Sequence, residues 1–250
     1  MKHQPAMPRQ EGNGWKLSNI PVLEIFGPTI QGEGMVVGRK TMFVRTAGCD
    51  YRCSWCDSAF TWDGSAKSEI KQMTAENIWD QLNEIGGTCF DHVTISGGNP
   101  ALLASLGTLT NLLKSKGISI ALETQGSKWQ PWFYEIDDLT ISPKPPSSGM
   151  QTNYQTLDAI TTNLLENGSN FSFKVVVFDY DDLDYAKHIH QRYQSVPFFL
   201  QVGNDDTSSM DNEELTKKIL DKYEWLIEET MNSNDLNNVR VLPQLHTLIW

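Results

Sequence analysis

Three of the four cysteines in the 250-residue chain lie within eight residues, at Cys49, Cys53 and Cys56. The preceding residues 41–47 are apolar and β-branched, which is typical of a buried strand. Gly48 then lets the backbone turn, so we expect the thiols to lie on a loop at the carboxyl end of that strand. Any fold for this chain must place a thiol-rich loop at one strand end.

The C-x3-C-x2-C spacing suits a metal centre better than a disulfide framework. Cysteine thiolates normally hold a four-iron cluster with one thiolate per iron, so three leave one iron open to a non-protein ligand. A structural zinc site needs a fourth ligand, usually Cys or His. The remaining cysteine, Cys89, lies beyond a predicted helix and close to His92. We favour the iron cluster and keep zinc or unligated thiols as alternatives.

Composition limits the partners of the chain. Its 20 basic and 31 acidic residues give a net charge of -11, which argues against nucleic acid as a partner. We find no segment that resembles a signal peptide or a membrane span of about 18 apolar residues. Clustered cysteines without pairing partners fit a reducing interior. We therefore expect a cytoplasmic protein that binds neither nucleic acid nor membrane.

Short apolar strands alternate with helical patterns along the chain, which predicts an α/β fold with parallel strands and outer helices. Strands are predicted at 21–26, 41–47, 92–96, 118–122, 138–142, 171–178, 197–202 and 239–242. Helices are predicted at 73–85, 101–116, 157–167, 182–193 and 212–231. These units are too few for a closed eight-unit barrel. We expect a mobile N-terminal arm over 1–19 and a single partial, incomplete TIM-type barrel domain over 20–250.

Polar residues and glycines follow nearly every predicted strand. In parallel α/β folds the functional site lies at the carboxyl ends of the strands. The cysteine loop and residues 96–99, 123–126, 142–144 and 201–205 should therefore face one common opening. Residues 27–34, which carry three glycines, are expected to form a turn between two strands.

The cysteine loop resembles the cluster signature of the radical S-adenosylmethionine (SAM) superfamily. The resemblance implies that the open iron of a 4Fe-4S cluster binds the amino and carboxylate groups of SAM. An electron from the reduced cluster then cleaves SAM, and the resulting 5'-deoxyadenosyl radical abstracts a substrate hydrogen.

Residues 96–100, Ser-Gly-Gly-Asn-Pro, resemble the Gly-Gly-Glu-Pro motif of the same superfamily, whose backbone meets the SAM amino group. Asn99 stands where Glu is commoner, so the resemblance carries over to the Gly97 and Gly98 backbone more readily than to the side chain. A plain strand-to-helix turn, with Pro100 at the first helical position, is the alternative. Further SAM contacts are implied at Ser142, Pro143, Lys144, Glu123, Gln125 and Gln201.

Within the superfamily, the chain is similar to the 7-carboxy-7-deazaguanine synthase family. The similarity rests on residues 24–34, 43–49, 55–58, 123–126, 141–144 and 241–246. It implies conversion of 6-carboxy-5,6,7,8-tetrahydropterin to 7-carboxy-7-deazaguanine, with loss of ammonia and regeneration of SAM, in queuosine or 7-deazapurine biosynthesis. It also implies Mg²⁺, a homodimer and an external electron donor of the flavodoxin or ferredoxin type.

The substrate implied by this resemblance gives the remaining candidates a physical role. The planar fork of Arg45 suits the pterin carboxylate, with a surface salt bridge as the alternative. Gln31 and Glu33 could meet the amino-pyrimidine edge, and for Glu33 a solvated loop carboxylate is the alternative. Other implied substrate contacts are Ile30, Gly32, Ser96, Pro243 and His246.

Ser58 is the candidate magnesium ligand. Magnesium prefers oxygen ligands and often takes few from the protein. Relatives often carry Thr at this position, and Ser keeps the hydroxyl. A serine that caps the following turn is the alternative.

Two other functions stay open at the level of sequence. Another radical SAM enzyme, activase-like or with a different pterin, would keep the cluster but would not need Gln31, Arg45 and Ser58 together. A zinc-binding module without catalysis would contain negligible iron.

Overall fold

The computed structural model describes residues 19–204 and 212–249. The predicted N-terminal arm, apart from its last residue, lies outside them and stays a prediction. The described residues form one nine-stranded sheet in the order β3-β1-β2-β4-β5-β6-β7-β8-β9. Its strands are β1 (Ile20–Ile30), β2 (Lys40–Thr46), β3 (Lys71–Met73), β4 (His92–Gly97), β5 (Ser119–Thr124), β6 (Asp138–Ile141), β7 (Phe171–Val177), β8 (Phe198–Val202) and β9 (Val239–Leu242).

The sheet is parallel over most of its width. From β2 to β9 every neighbouring pair is parallel, whereas β1 pairs antiparallel with both β2 and β3. Within the described residues β3 and β9 form two unpaired edges, so the sheet does not close. This arrangement confirms the predicted partial barrel.

Helices connect most of the parallel strands. They are α1 (Ala75–Gly86), α2 (Leu106–Ser115), α3 (Tyr154–Glu166), α4 (Tyr180–Arg192), α5 (Asn212–Met231) and α6 (Leu245–Ile249). The start of α1 follows its sequence signal, because the Thr74 side chain accepts a hydrogen bond from the Asn77 backbone. Ile78 and Leu82 of α1 are fully buried, as their helical spacing predicted. Among residues 19–204 and 212–249, no helix combines the length and apolar character needed to span a bilayer.

The core lies between the sheet and these helices. Every residue of β7 and β8 is buried, as expected for strands covered on both faces. Alternate apolar side chains of the strands, such as Phe173 and Val175 of β7, join those of the helices in one core cluster, while Lys174 and Val176 of β7 face the interior of the barrel. A charged residue within such a strand must therefore find its partners inside the barrel.

The structure differs from the predicted elements in several places. The predicted helix at 101 begins only at Leu106, because the Asn99 side chain caps a separate 3-10 turn at Pro100–Leu102. Strand β1 continues through part of the expected turn at 27–34, where an irregularity between Phe26 and Thr29 accommodates Gly27 and Pro28. Strand β3 and helix α6 were not predicted, since three and five residues are too few to leave a periodic pattern.

Candidate active site

A cavity of about 830 Å³ opens at the carboxyl ends of the parallel strands. This volume falls within the roughly 300–1,000 Å³ typical of small-molecule sites. The segments that end or follow β2, β4, β5 and β6 all contribute to its wall, together with β7 and α6. The predicted convergence of these strand ends on one opening is therefore present.

Most of the site residues predicted from the sequence line this cavity. They are Cys49, Cys53, Cys56, Ser58, Gly97, Gly98, Ser142, Lys144, Glu123, Gln125, Ile30, Gln31, Gly32, Glu33, Arg45, Ser96 and His246. Pro143, Gln201 and Pro243 are not among the lining residues. Gln201 nevertheless reaches the site indirectly, because its Nε2 donates a hydrogen bond to Glu33 Oε2 at 3.1 Å.

The three clustered thiols fit an iron–sulfur cluster in number and chemistry. All four cysteines belong to the described part of the chain and are free. Cys89 is exposed and lies outside the cavity lining, whereas Cys49, Cys53 and Cys56 are partly buried and face the cavity. Burial raises the pKa of the Cys49 and Cys53 thiols. Both thiols would have to release their protons in order to hold a metal.

Hydrogen bonds hold the cysteine loop in place and point donors at its sulfurs. The Tyr51 backbone donates to Cys49 Sγ and the Trp62 indole donates to Cys56 Sγ, each at 3.4 Å. Such donors are among the factors that tune the potential of a bound cluster. The Ser54 backbone donates to the Ser148 carbonyl at 3.1 Å and anchors the loop to the segment after β6.

Gly97 and Gly98 allow a close approach between the end of β4 and the cysteine loop. Gly97 has a φ of +136°, which disfavours other residues. A Cβ atom at Gly98 would lie 2.3 Å from the Gly48 carbonyl oxygen and 2.9 Å from Cys49 Cβ. The double glycine is therefore required by packing, independently of any contact with a cofactor.

A buried lysine joins two carboxylates in the cavity wall. Lys174 of β7 is only 3% exposed, and its Nζ contacts Glu33 Oε2 at 2.5 Å and Glu123 Oε2 at 3.1 Å. Burial opposes ionisation of Glu33, but Lys174, His246 and Gln201 together outweigh it and hold the pKa of Glu33 below its ordinary value. Burial raises the pKa of Glu123. The two carboxylates therefore differ in how readily they accept a proton.

Sequence reasoning missed Lys174, although a signal for it was present. The residue interrupts the apolar run Phe-Ser-Phe-Lys-Val-Val-Val of β7, which was predicted as a strand. A charged side chain in a strand buried on both faces requires partners. Its partners, Glu33 and Glu123, lie 141 and 51 residues away in sequence.

Glu33 also belongs to a group of oxygen and nitrogen ligands in the cavity wall. One ligand atom from each of Glu33, Asp57 and His246 lies within 4.8 Å of the others. Ser58 Oγ donates to Asp57 Oδ1 at 2.8 Å. In this structure Ser58 forms no capping hydrogen bond to the turn that follows it. Hard oxygen donors in this arrangement fit a divalent cation.

Arg45 forms a salt bridge at the cavity edge. Its Nε lies 2.5 Å from Glu24 Oε1, and its guanidinium carbon lies 5.7 Å from the ring centroids of both Phe26 and Phe60. Arg45 therefore forms the salt bridge that we considered as the alternative to a substrate contact. Its side chain nevertheless lines the cavity. A ligand carboxylate could exchange with that of Glu24 on the same guanidinium.

Comparison with known proteins identifies the family of the chain. The profile of the Radical SAM superfamily matches residues 43–142. A relative from Bacillus cereus named 7-carboxy-7-deazaguanine synthase is 64% identical over 94% of this chain and 98% of its own length. A relative of the same name from Bacillus subtilis is 63% identical over 92% of this chain and 96% of its own.

A solved structure agrees with the sequence relatives. The chain is similar to the crystal structure of QueE from Escherichia coli, with a TM-score of 0.65 and 26% sequence identity. The similarity covers 91% of this chain and 95% of that one. With this identity to relatives over almost their whole length, the chain belongs to the 7-carboxy-7-deazaguanine synthase family of the radical SAM superfamily.

Proposed function

We propose that the chain converts 6-carboxy-5,6,7,8-tetrahydropterin to 7-carboxy-7-deazaguanine with loss of ammonia. The observation that carries this proposal is one cavity in which three free thiols face an arginine and a lysine-bridged pair of carboxylates. Family membership supplies the reaction, and the cavity supplies groups that match both reactants. The product is a precursor for queuosine and other 7-deazapurines.

Cys49, Cys53 and Cys56 are the proposed ligands of a 4Fe-4S cluster. When bound, this cluster and SAM supply the radical that removes a hydrogen from the substrate. The chain's own contribution is to hold SAM and to exclude water. We assign contacts with SAM to the backbone of Gly97 and Gly98 and to segments at the ends of β5, β6 and β8. The side chains concerned are those of Ser142, Lys144, Glu123 and Gln125. Pro143 and Gln201 do not line the cavity and would contribute indirectly, by supporting the residues that do.

The remaining part of the cavity wall is the proposed pterin site. Arg45 would bind the substrate carboxylate through two parallel hydrogen bonds after releasing Glu24. Glu33 stays ionised because of Lys174, so it can accept N–H donors from the amino-pyrimidine edge. Other proposed substrate contacts are Ile30, Gln31, Gly32, Ser96 and His246. Pro243 does not line the cavity, so its proposed contribution is to position the neighbouring Gln244, which does.

Mg²⁺ is proposed to bind beside Ser58, near the substrate carboxylate. The hydrogen bond between Ser58 and Asp57 supports this position, since Asp57 orients the hydroxyl and adds negative charge. Asp57 also brings the site next to Glu33 and His246.

Replacement of Ser58 tests the magnesium proposal. We expect Ser58→Ala to raise the Mg²⁺ concentration for half-maximal product formation about tenfold. Ser65→Ala is the matched control, because Ser65 Oγ bonds to Asp63 at 2.6 Å in the same way but outside the cavity lining. Equal Mg²⁺ requirements for both variants would reject Ser58 as a ligand.

The remaining parts of the proposal follow from the family resemblance. They are an external electron donor of the flavodoxin or ferredoxin type, a homodimer and a cytoplasmic location. The net charge of -11 supports a small-molecule enzyme that does not bind nucleic acid.

The reaction itself can be tested directly. The protein is reconstituted anaerobically with iron and sulfide, then incubated with SAM, dithionite, Mg²⁺ and 6-carboxytetrahydropterin, and products are identified by mass. We expect 7-carboxy-7-deazaguanine from the wild type and from Cys89→Ala, and none from Cys53→Ala. Reductive SAM cleavage without this product would reject the substrate. Absence of both iron and cleavage would favour the zinc module.

A further inference from the structure

Asn99 stands where the superfamily motif usually has Glu, and every polar atom of its side chain has a partner. The residue is fully buried. Its Nδ2 donates to Asp50 Oδ1 and to Ser127 Oγ, both at 2.9 Å. Its Oδ1 accepts from Thr124 Oγ1 at 2.8 Å and from the Ala101 backbone at 3.2 Å. These contacts use both donors and the acceptor of the amide, which a carboxylate could not reproduce.

Asp50, directly after the first cluster cysteine, connects this network to the cysteine loop. Its Oδ1 also accepts from Gln125 Nε2 at 2.6 Å. The same Gln125 nitrogen lies 3.6 Å from Cys49 Sγ. The Asn99 backbone donates to the Gly48 carbonyl at 2.8 Å. Two amides, one after β4 and one after β5, therefore hold both sides of Cys49.

We propose that Asn99 and Gln125 are positioning residues that fix Cys49 through Asp50, and that position 99 carries an amide because Asp50 supplies the carboxylate. A glutamate at 99 would place a second carboxylate against Asp50 from a buried position, where like charges repel and the two amide N–H bonds to Asp50 and Ser127 are lost. We therefore expect a carboxylate at position 99 to be tolerated when position 50 carries an amide. The proposal depends on the cluster of this family and is independent of the pterin substrate.

The pair should also influence the redox behaviour of the cluster. The potential of an iron–sulfur cluster depends on nearby charge and on hydrogen bonds to its sulfurs. The Asp50 carboxylate adds negative charge beside a ligand, which favours the oxidised cluster. Its two amide donors keep that charge in place.

A double-mutant cycle tests the pairing with wild type, Asn99→Glu, Asp50→Asn and the double variant. The first readout is thermal unfolding of the metal-free protein, and the second is iron retained per chain after reconstitution. We expect Asn99→Glu to lower both, and the double variant to recover most of the loss. If the double variant loses as much as the two single variants added together, the pairing is wrong.

The Asp50→Asn variant gives a test that does not depend on how well Asn99→Glu folds, because Asp50 is exposed. Its cluster should show a more positive midpoint potential in an EPR-monitored titration, at unchanged iron content. Asp63→Asn is the control, since its carboxylate bonds only to Ser65 among the hydrogen bonds of the described residues and lies outside the cavity lining. An Asp50→Asn potential equal to that of the wild type and the control would overturn the proposal. The readouts need no pterin, so they are separate from the test of the reaction.

Discussion

At the scale of single residues, the buried Lys174 neutralises two carboxylates in the cavity wall. Its ammonium lies between Glu33 and Glu123 with almost no solvent contact. We predict that Lys174→Met lowers the free energy of unfolding by about 3–5 kcal/mol, because it leaves two partly buried carboxylates without a cation. Urea denaturation of the metal-free protein measures this loss.

Lys187→Met is the matched control for this prediction. Lys187 pairs with Asp184 at 3.0 Å, one turn earlier on α4, and the Asp184 side chain is 75% exposed. We expect a change of about 0–1 kcal/mol, typical of a surface pair. Similar losses for both variants would contradict a special role for the buried lysine.

His92 makes the stability of the fold dependent on pH. Burial, with the Arg39 charge, lowers the pKa of His92 to about 4. Its Nδ1 bonds to Thr41 Oγ1 at 2.8 Å, and its Nε2 has no hydrogen-bond partner among the described residues. The folded chain therefore resists protonation of His92, whereas the unfolded chain accepts the proton near the usual pKa of about 6.5.

The sign of the pH effect follows from this difference. We predict that the contribution of His92 to stability is fully present above pH about 6.5 and is lost as the pH decreases from there toward 4, because the unfolded state binds the proton first. His92→Gln should show a smaller loss in this range than the wild type, measured by thermal unfolding between pH 7 and 4.5. A His188→Gln control should follow the wild type, and identical profiles for all three would contradict the assignment.

At the scale of elements, the short helix α6 closes one side of the cavity through its contact with Gly32. The Leu245 backbone donates to the Gly32 carbonyl at 3.2 Å. A Cβ atom at Gly32 would lie 2.7 Å from His246 Nδ1 and 2.8 Å from the His246 backbone nitrogen. Gly32 therefore permits the approach that brings His246 into the site.

Gly32→Ala should displace α6 without changing the cluster loop. We predict that product formation falls at least about tenfold, equivalent to roughly 1.4 kcal/mol, while SAM cleavage in the absence of pterin is retained. Gly107→Ala on α2 is the control, because its Cβ would meet Trp132 at an ordinary 3.4 Å. Parallel loss of SAM cleavage and product would contradict a role limited to the substrate wall.

The sequence predicted those elements whose signals are local. The apolar strand before Cys49, the Thr74 cap and the parallel order of strand and helix all follow from patterns within a few residues. Helix α6 could not be predicted, because five residues carry too little periodicity and its position depends on a contact with Gly32, far away in the chain.

At the scale of the whole molecule, the open parallel sheet explains why the predicted site residues converge. Strand ends that are distant in sequence meet at one edge, so the cysteine loop, Glu123 and Ser142 share one cavity. The sequence pattern did not predict which side chains pair with one another at the cavity. The bridge from Lys174 to Glu33 and the bond from Asn99 to Asp50 depend on side-chain packing between strands.

Ring contraction in this cavity is expected to regenerate SAM. The most direct measurement is the ratio of 7-carboxy-7-deazaguanine formed to SAM supplied, with SAM limiting and pterin and reductant in excess. We predict many product molecules per SAM, with little 5'-deoxyadenosine. One 5'-deoxyadenosine released per SAM with no deazaguanine product would contradict the account.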